Sequence, residues 1–288
     1  MNAAVCTFAL FLIACLNAGC GPTDTDENPA TMQRTEVSHA PPSKLANRAY
    51  ADVNGLRMYY EIHGAGPTLL LLHGGAGAIP EKWVGFLAGQ FQVVAMEQMG
   101  HGRTRDIPDR AFHYHGMAED TIELMRQLGI ERAMVVGYSD GGIIGLDMAI
   151  HHPERVTKLA VTGANYRTEG YRPEILKEAI SATPDDWPAS EEYRRLSPDG
   201  ADHWPIVLRR LQQMWAVEPS YTREQLQRVK APALIIVGDR DIVTAEHAVE
   251  MFQSISGAQL CIVPNAGHGV MPQETLLAFL GASPSGAK

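Results

Sequence analysis

Residues 136–142, Val136-Gly137-Tyr138-Ser139-Asp140-Gly141-Gly142, set one serine hydroxyl among glycines, between the apolar run "RAMVV" and the helix-like "IIGLDMAI". A chain that leaves a strand and enters a helix within one residue strains the backbone at the corner, and only small neighbours leave it room. Gly137 and Gly141 supply that room. The G-x-S-x-G spacing therefore predicts a nucleophile elbow, with the serine hydroxyl at the top of a sheet and the positive end of the next helix directed at it. A serine hydroxyl is a weak nucleophile until a base takes its proton and an acid orients that base. Downstream, "VGDRD" ends one apolar run with Asp239 and Asp241, and "NAGH" follows the next with His268. Upstream, "HGG" at His73-Gly74-Gly75 closes another run, where a glycine N–H can reach a developing oxyanion together with the N–H of Asp140. The expected constellation is Ser139, Asp241 and His268, with Asp239 as the competing acid and Gly75 and Asp140 as oxyanion donors.

Groups so distant in sequence meet only if a scaffold gathers them. From about Tyr50 the chain alternates short apolar runs with helical segments. "YADVNGLRMYYEIHG" predicts a hairpin around Asn54-Gly55, a dipeptide that accepts the positive φ angles of a two-residue turn. "TLLLLHGG", "FQVVAMEQ", "RAMVVGYS", "KLAVTGAN", "ALIIVGDRD" and "QLCIVPNAGH" then lack strict polar alternation, as strands covered on both faces do. The order predicts an α/β protein with a mostly parallel, doubly wound sheet, whose strand ends converge on one rim. Residues 167–230 break the rhythm: no apolar strand run, many charges, and three of the four tryptophans, Trp187, Trp204 and Trp215. They predict a helical lid. Trp204 and Trp215 are candidate substrate contacts; the alternative for these aromatics is packing within the lid's own core.

With these motifs in view, the chain resembles the α/β-hydrolase family from Tyr50 to about Leu280. "HGG", "EQMGHGRT", "GYSDGG", "HHPERV", "GDRD" and "NAGH" fall in the family's order. The stretch "GYSDGGIIGLDMAIHHPERVTKLAVTGAN" is most similar to esterases of the biphenyl-hydrolase-like group, which includes amino-acid-ester hydrolases. Glu97 in "MEQMGHG" stands where relatives commonly have Asp. The resemblance implies Ser139 as nucleophile, His268 as general base and then acid, and Asp241 as orienter. It divides the chain into a core at 49–166, the lid at 167–230 and a second core part at 231–288. The expected activity is cleavage of a carboxylic ester or lactone through an acyl-enzyme, with no cofactor. In the amino-acid-ester hydrolases the acid matching Asp140 receives the substrate ammonium. Amine-bearing esters or macrolide-type lactones are therefore a candidate substrate class, and a purely structural Asp140 the alternative. A cofactor-free perhydrolase or haloperoxidase uses the same triad, and a binding protein that lost catalysis is the rival of another class.

The bulk numbers bound the rest. At 288 residues and 45% hydrophobic content the chain can bury a large core, and a formal charge of -9 leaves no basic stripe for nucleic acid. Cys6, Cys15 and Cys20 sit in the first twenty residues and Cys261 alone in the body, so no disulfide framework can be built. The apolar run from Ala3 to Leu16 has the length of an export-signal core, and "LIAC" at Cys15 and "NAGC" at Cys20 both resemble a bacterial lipobox. The expectation is a signal at 1–20, a polar tether at 21–48, and a periplasmic protein whose one membrane contact is a lipid on Cys15 or Cys20. The absence of Lys or Arg before the apolar run departs from the usual signal. No metal site is expected: His113 and His115 lack the nearby carboxylate or cysteine spacing of a metal pair and read as surface residues. His151 and His152 suit the negative end of the helix after the elbow, and His73 and His101 belong to loops around the pocket.

Overall fold

A computed structural model describes residues 47–281 of the chain. The expected signal, Cys15, Cys20 and nearly all of the tether lie outside these residues. Among the described residues, no helix is long and apolar enough to cross a membrane.

The first two strands, β1 (Asn47–Val53) and β2 (Leu56–His63), form the expected hairpin, with Asn54 at φ 47° and Gly55 at φ 81° closing the Val53–Leu56 pair. Six further strands follow: β3 (Thr68–Leu72), β4 (Gln92–Met96), β5 (Ala133–Tyr138), β6 (Val156–Thr162), β7 (Ala233–Gly238) and β8 (Gln259–Val263). They hydrogen-bond in the order β1-β2-β4-β3-β5-β6-β7-β8. β1, β2 and β4 pair antiparallel, and every pairing from β4 onwards is parallel.

The strands read as unbroken apolar runs because both faces of the sheet are covered. Leu70, Leu72, Val94, Val135, Leu159, Val161 and Ile235 join one core with α2 (Tyr114–Gln127) and α3 (Asp140–His151). The alternate residues Leu69, Leu71, Val93, Val136, Ala160 and Leu234 join a second core with α1 (Glu81–Leu87) and α9 (Gln273–Leu280). Each such leucine or valine contributes about 1.5–3 kcal/mol by leaving water, which holds the strand ends rigidly enough to position chemistry.

Between β6 and β7 lie α4 (Pro173–Ser181), α5 (Glu191–Leu196), α6 (Trp204–Trp215) and α7 (Arg223–Leu226), with no strand among them. Val207, Leu208, Leu211, Met214 and Trp215 recur at helical spacing on the buried face of α6. Trp187 stacks on Trp215 at 5.7 Å between ring centroids, and Tyr193 meets Trp204 edge-on at 5.1 Å. The remaining helix, α8 (Ala245–Ser254), covers the sheet between β7 and β8.

Candidate active site

Ser139 occupies the corner between β5 and α3 at φ 51° and ψ −121°, a conformation that side chains rarely adopt and that must be enforced by its surroundings. The neighbours show why they are glycine. A Cβ on Gly137 would stand 2.2 Å from the carbonyl oxygen of Gly141, and one on Gly141 would stand 2.3 Å from that of Leu72. Either would push the elbow apart.

The adjacent parallel strands bring the partners to the same rim. Asp241 lies three residues beyond the end of β7 and His268 five beyond the end of β8. Nε2 of His268 is 3.0 Å from Ser139 Oγ, and Nδ1 is 2.7 Å from Asp241 Oδ1. A carboxylate only accepts, so Nδ1 carries the proton and Nε2 is left to accept from the serine hydroxyl. All three side chains are buried. Burial pushes the Asp241 carboxyl up, but the imidazole charge and hydrogen bonds from His268 and the Val243 N–H hold it below the usual carboxylate value. It stays ionised and can stabilise an imidazolium. Asp239 is exposed and accepts from the Ala266 N–H at 3.1 Å. The imidazole is thus served by Asp241, and Asp239 holds a turn.

A cleft opens onto the serine, lined by Gly75, Asp140, Tyr171, Ile175, Leu176, Ala179, Ile242, Trp187 and Trp215 besides Ser139 itself. Gly75 has no room for a side chain, since a Cβ would stand 2.4 Å from Asp140 Oδ2 and 2.8 Å from a Trp215 ring carbon. This close approach sets the backbone of Gly75 beside the first residue of α3, whose N–H has no partner within the helix.

Asp140 lines the cleft yet is buried. Its Oδ1 accepts from Tyr114 Oη at 2.9 Å, and both oxygens accept from Trp215 Nε1 at 3.2 and 3.1 Å. Burial pushes its pKa up to about 6, against the pull of these two donors and of His268. No lysine or arginine is among its partners in the described residues.

Trp204 requires a correction as a substrate contact. It does not line the cleft; its Nε1 donates to the Trp187 carbonyl at 2.7 Å, supporting the tryptophan that does. Sequence reasoning missed Trp187 as well as Tyr171 and the α4 residues Ile175, Leu176 and Ala179. Ile175, Leu176 and Ala179 recur at helical spacing on α4, but nothing in that spacing tells which side of the helix faces the serine, and Tyr171 and Trp187 lie outside any helix.

The histidines around the loops have structural partners. His73 Nδ1 lies 2.7 Å from the Gly74 carbonyl while its Nε2 accepts from the Gln98 N–H at 3.0 Å, and burial lowers its pKa to about 4. Neutral at ordinary pH, it braces the glycine loop. His101 packs on it at 5.1 Å, and Glu97 is buried against Arg103 at 2.6 Å. His113 and His115 turn to different partners, Glu218 at 2.6 Å and Asp147 at 3.0 Å. Among the described residues, His115, Asp147 and His151 bring metal-ligating atoms within 4.8 Å of one another.

Comparison with known proteins identifies the family and the fold. A family model described as alpha/beta hydrolase fold matches residues 67–220. The provisionally named carbamate hydrolase RutD of Azorhizobium caulinodans is 30% identical over 266 residues, covering 81% of this chain and 98% of its own. The human serine hydrolase BPHL is 28% identical over 235 residues, covering 76% and 79%. The crystal structure of the enol-lactonase from Burkholderia xenovorans LB400 superposes with a TM-score of 0.64 at 24% identity, over 81% of this chain and 99% of the other, a likeness of fold.

Proposed function

The chain belongs to the α/β-hydrolase family, and from that premise we propose that it is a serine hydrolase cleaving carboxylic esters or lactones through an acyl-enzyme. The observation that carries this reading is the continuous hydrogen-bond path from Ser139 Oγ through His268 to Asp241 at 3.0 and 2.7 Å. As Ser139 Oγ attacks the acyl carbon, its proton passes to Nε2 and the charge on the imidazolium is met by Asp241. The oxyanion forms beside Gly75 and the N–H of Asp140. His268 returns its proton to the departing alkoxide, then activates a water that releases the acid by the same path reversed. A fluorophosphonate probe should label the protein and fail to label Ser139→Ala; equal labelling of both would refute the nucleophile.

For substrate class, the reading is a preference for esters or lactones carrying a protonated amine. A buried carboxylate that faces the cleft and receives only neutral donors attracts a cation more strongly than it would in water. The Tyr114 and Trp215 hydrogen bonds favour a second reading, in which Asp140 only ties the elbow to its surroundings. A panel of amine-bearing and neutral esters and lactones, with carbamates added because a relative is named for them, separates these readings.

Export as a lipoprotein remains part of the proposal, supported by the apolar run from Ala3 to Leu16 and the two lipobox-like cysteines. Expressed in a bacterium, the chain should take up labelled fatty acid. Replacing both Cys15 and Cys20 should abolish the label, and unchanged label would overturn the anchor.

A further inference from the structure

Asp147 lies two turns beyond Asp140 on α3, about 10 Å along the axis, and its side chain is wholly buried. Among the described residues its carboxylate is met by one phenol and two imidazoles, not by a lysine or arginine. Tyr221 Oη donates to Oδ2 at 2.7 Å. His115 Nδ1, from α2, stands 3.0 Å from Oδ1, and His151 Nδ1, one turn further along α3, stands 3.2 Å from the same oxygen. A buried carboxylate is costly without a compensating positive charge.

The geometry points to a divalent transition-metal site at the junction of α2, α3 and the lid, with His115 Nδ1, Asp147 Oδ1 and His151 Nδ1 as ligands and zinc as the ion. Two imidazole nitrogens and one carboxylate oxygen form a donor set that suits zinc. Zinc bonds of about 2.0–2.2 Å place tetrahedral ligand atoms roughly 3.3 Å apart, so the two imidazole–carboxylate separations of 3.0 and 3.2 Å need to open by only a few tenths of an ångström. All three ligand atoms lie within 4.8 Å of one another, and the imidazoles close on the ion by rotating about their side-chain bonds. The surroundings fit as well. Tyr221 occupies Oδ2 and leaves Oδ1 to the ion. Glu119 Oε1, which pairs with His152 Nε2 at 2.6 Å, lies 3.9 Å from the outer nitrogen of His115 and adds negative charge beside the site. The side chains of His115 and His151 are 59% and 30% exposed, which gives the ion a route in and water the fourth position. The site is separate from the triad. Because Tyr221 belongs to the lid segment and its N–H donates to the Tyr166 carbonyl at 2.9 Å, a metal on Asp147 would steady the seam between lid and core.

The test is titration of the chelator-stripped full chain with Zn²⁺ by calorimetry, and with Co²⁺ by visible absorption. The expected result is a saturable site of one ion per chain and a higher melting temperature in zinc. His115→Ala and His151→Ala should each lose that equivalent and the thermal shift, while His113→Ala keeps both. Circular dichroism checks that the variants fold, and all of them share the same cysteines, so the difference isolates this cluster. Absence of a saturable equivalent in the parent chain, or its survival in both alanine variants, would reduce the cluster to a histidine–carboxylate ion pair and overturn the proposal.

Discussion

The rim of the sheet and the helical segment over it are built by different rules. At the rim, Ser139, Asp241 and His268 stand on short turns after β5, β7 and β8, whose parallel register fixes their separation before any side chain is chosen. In the segment between β6 and β7 no backbone ladder sets the spacing, and the aromatic contacts of Trp187, Tyr193, Trp204 and Trp215 fix which surface faces the serine. The rim thus concentrates function in single atoms, while the lid spreads it over packing. Substitutions at the rim should abolish turnover, whereas those in the lid should alter stability and selectivity by degrees.

The sharpest break of that contrast comes from the triad. Ser139→Ala and His268→Ala should each lower kcat by roughly a million-fold, because the members act as one unit. The melting temperature of Ser139→Ala should stay near that of the parent, since the hydroxyl does not belong to the apolar cores, whereas His268→Ala leaves the buried Asp241 carboxylate without its 2.7 Å partner and should melt earlier. Asp241→Asn should follow at roughly ten-thousand-fold through loss of the oriented tautomer. Asp239→Asn, on an exposed turn, should be mild. A Ser139→Ala enzyme with a tenth of the parent rate, or the reverse ranking of the two acids, would mean that the rim does not work this way.

The same contrast explains what was legible in the sequence. Strand order and the elbow could be read because Leu69 to Leu72 and Ala133 to Tyr138 are apolar whichever face they serve, and glycines at 137 and 141 have few other uses. Asp241 and Asp239 were nearly indistinguishable as text, since a two-residue offset after a strand end decides which one reaches the imidazole. Trp204 was misplaced for a related reason: helical spacing shows that a face is buried, but not whether it is buried in packing or against a cleft. The His115, Asp147 and His151 cluster was hidden because its carboxylate lies in an otherwise apolar helix 32 positions from the first histidine.

In the lid, Trp204 and Trp187 should separate packing from recognition. Trp204 is buried against Tyr193 and Trp187, so Trp204→Ala should cost about 3–5 kcal/mol of stability, read by denaturant unfolding. Trp187→Ala opens the wall of the cleft itself and should raise KM more than it lowers kcat. If Trp204→Ala left stability unchanged and altered only substrate choice, the lid would be a recognition surface throughout.

Asp140 belongs to both regions, on the first residue of the elbow helix and hydrogen-bonded by Trp215 of the lid, so its substitution tests where the boundary runs. On the amine-binding reading, Asp140→Asn should lower kcat/KM for amine-bearing esters by roughly tenfold, about 1.4 kcal/mol, and leave neutral esters of the same shape nearly unchanged. The parent enzyme should show the same preference fading with pH. With its carboxyl raised to about 6 by burial, the ratio of kcat/KM for charged over neutral substrates should fall as pH drops through that value, while titration of the triad cancels in the ratio. Stability supplies an independent reading. A carboxyl raised above its ordinary 3.8 binds its proton more tightly in the folded chain. Ionised Asp140 therefore lowers stability as pH rises from about 4 to about 6, and Asp140→Asn should gain on the parent across that window. A variant less stable at every pH and equally impaired on both substrate types would instead make Asp140 a strut between elbow and lid, and recognition would then rest on the apolar walls of the cleft.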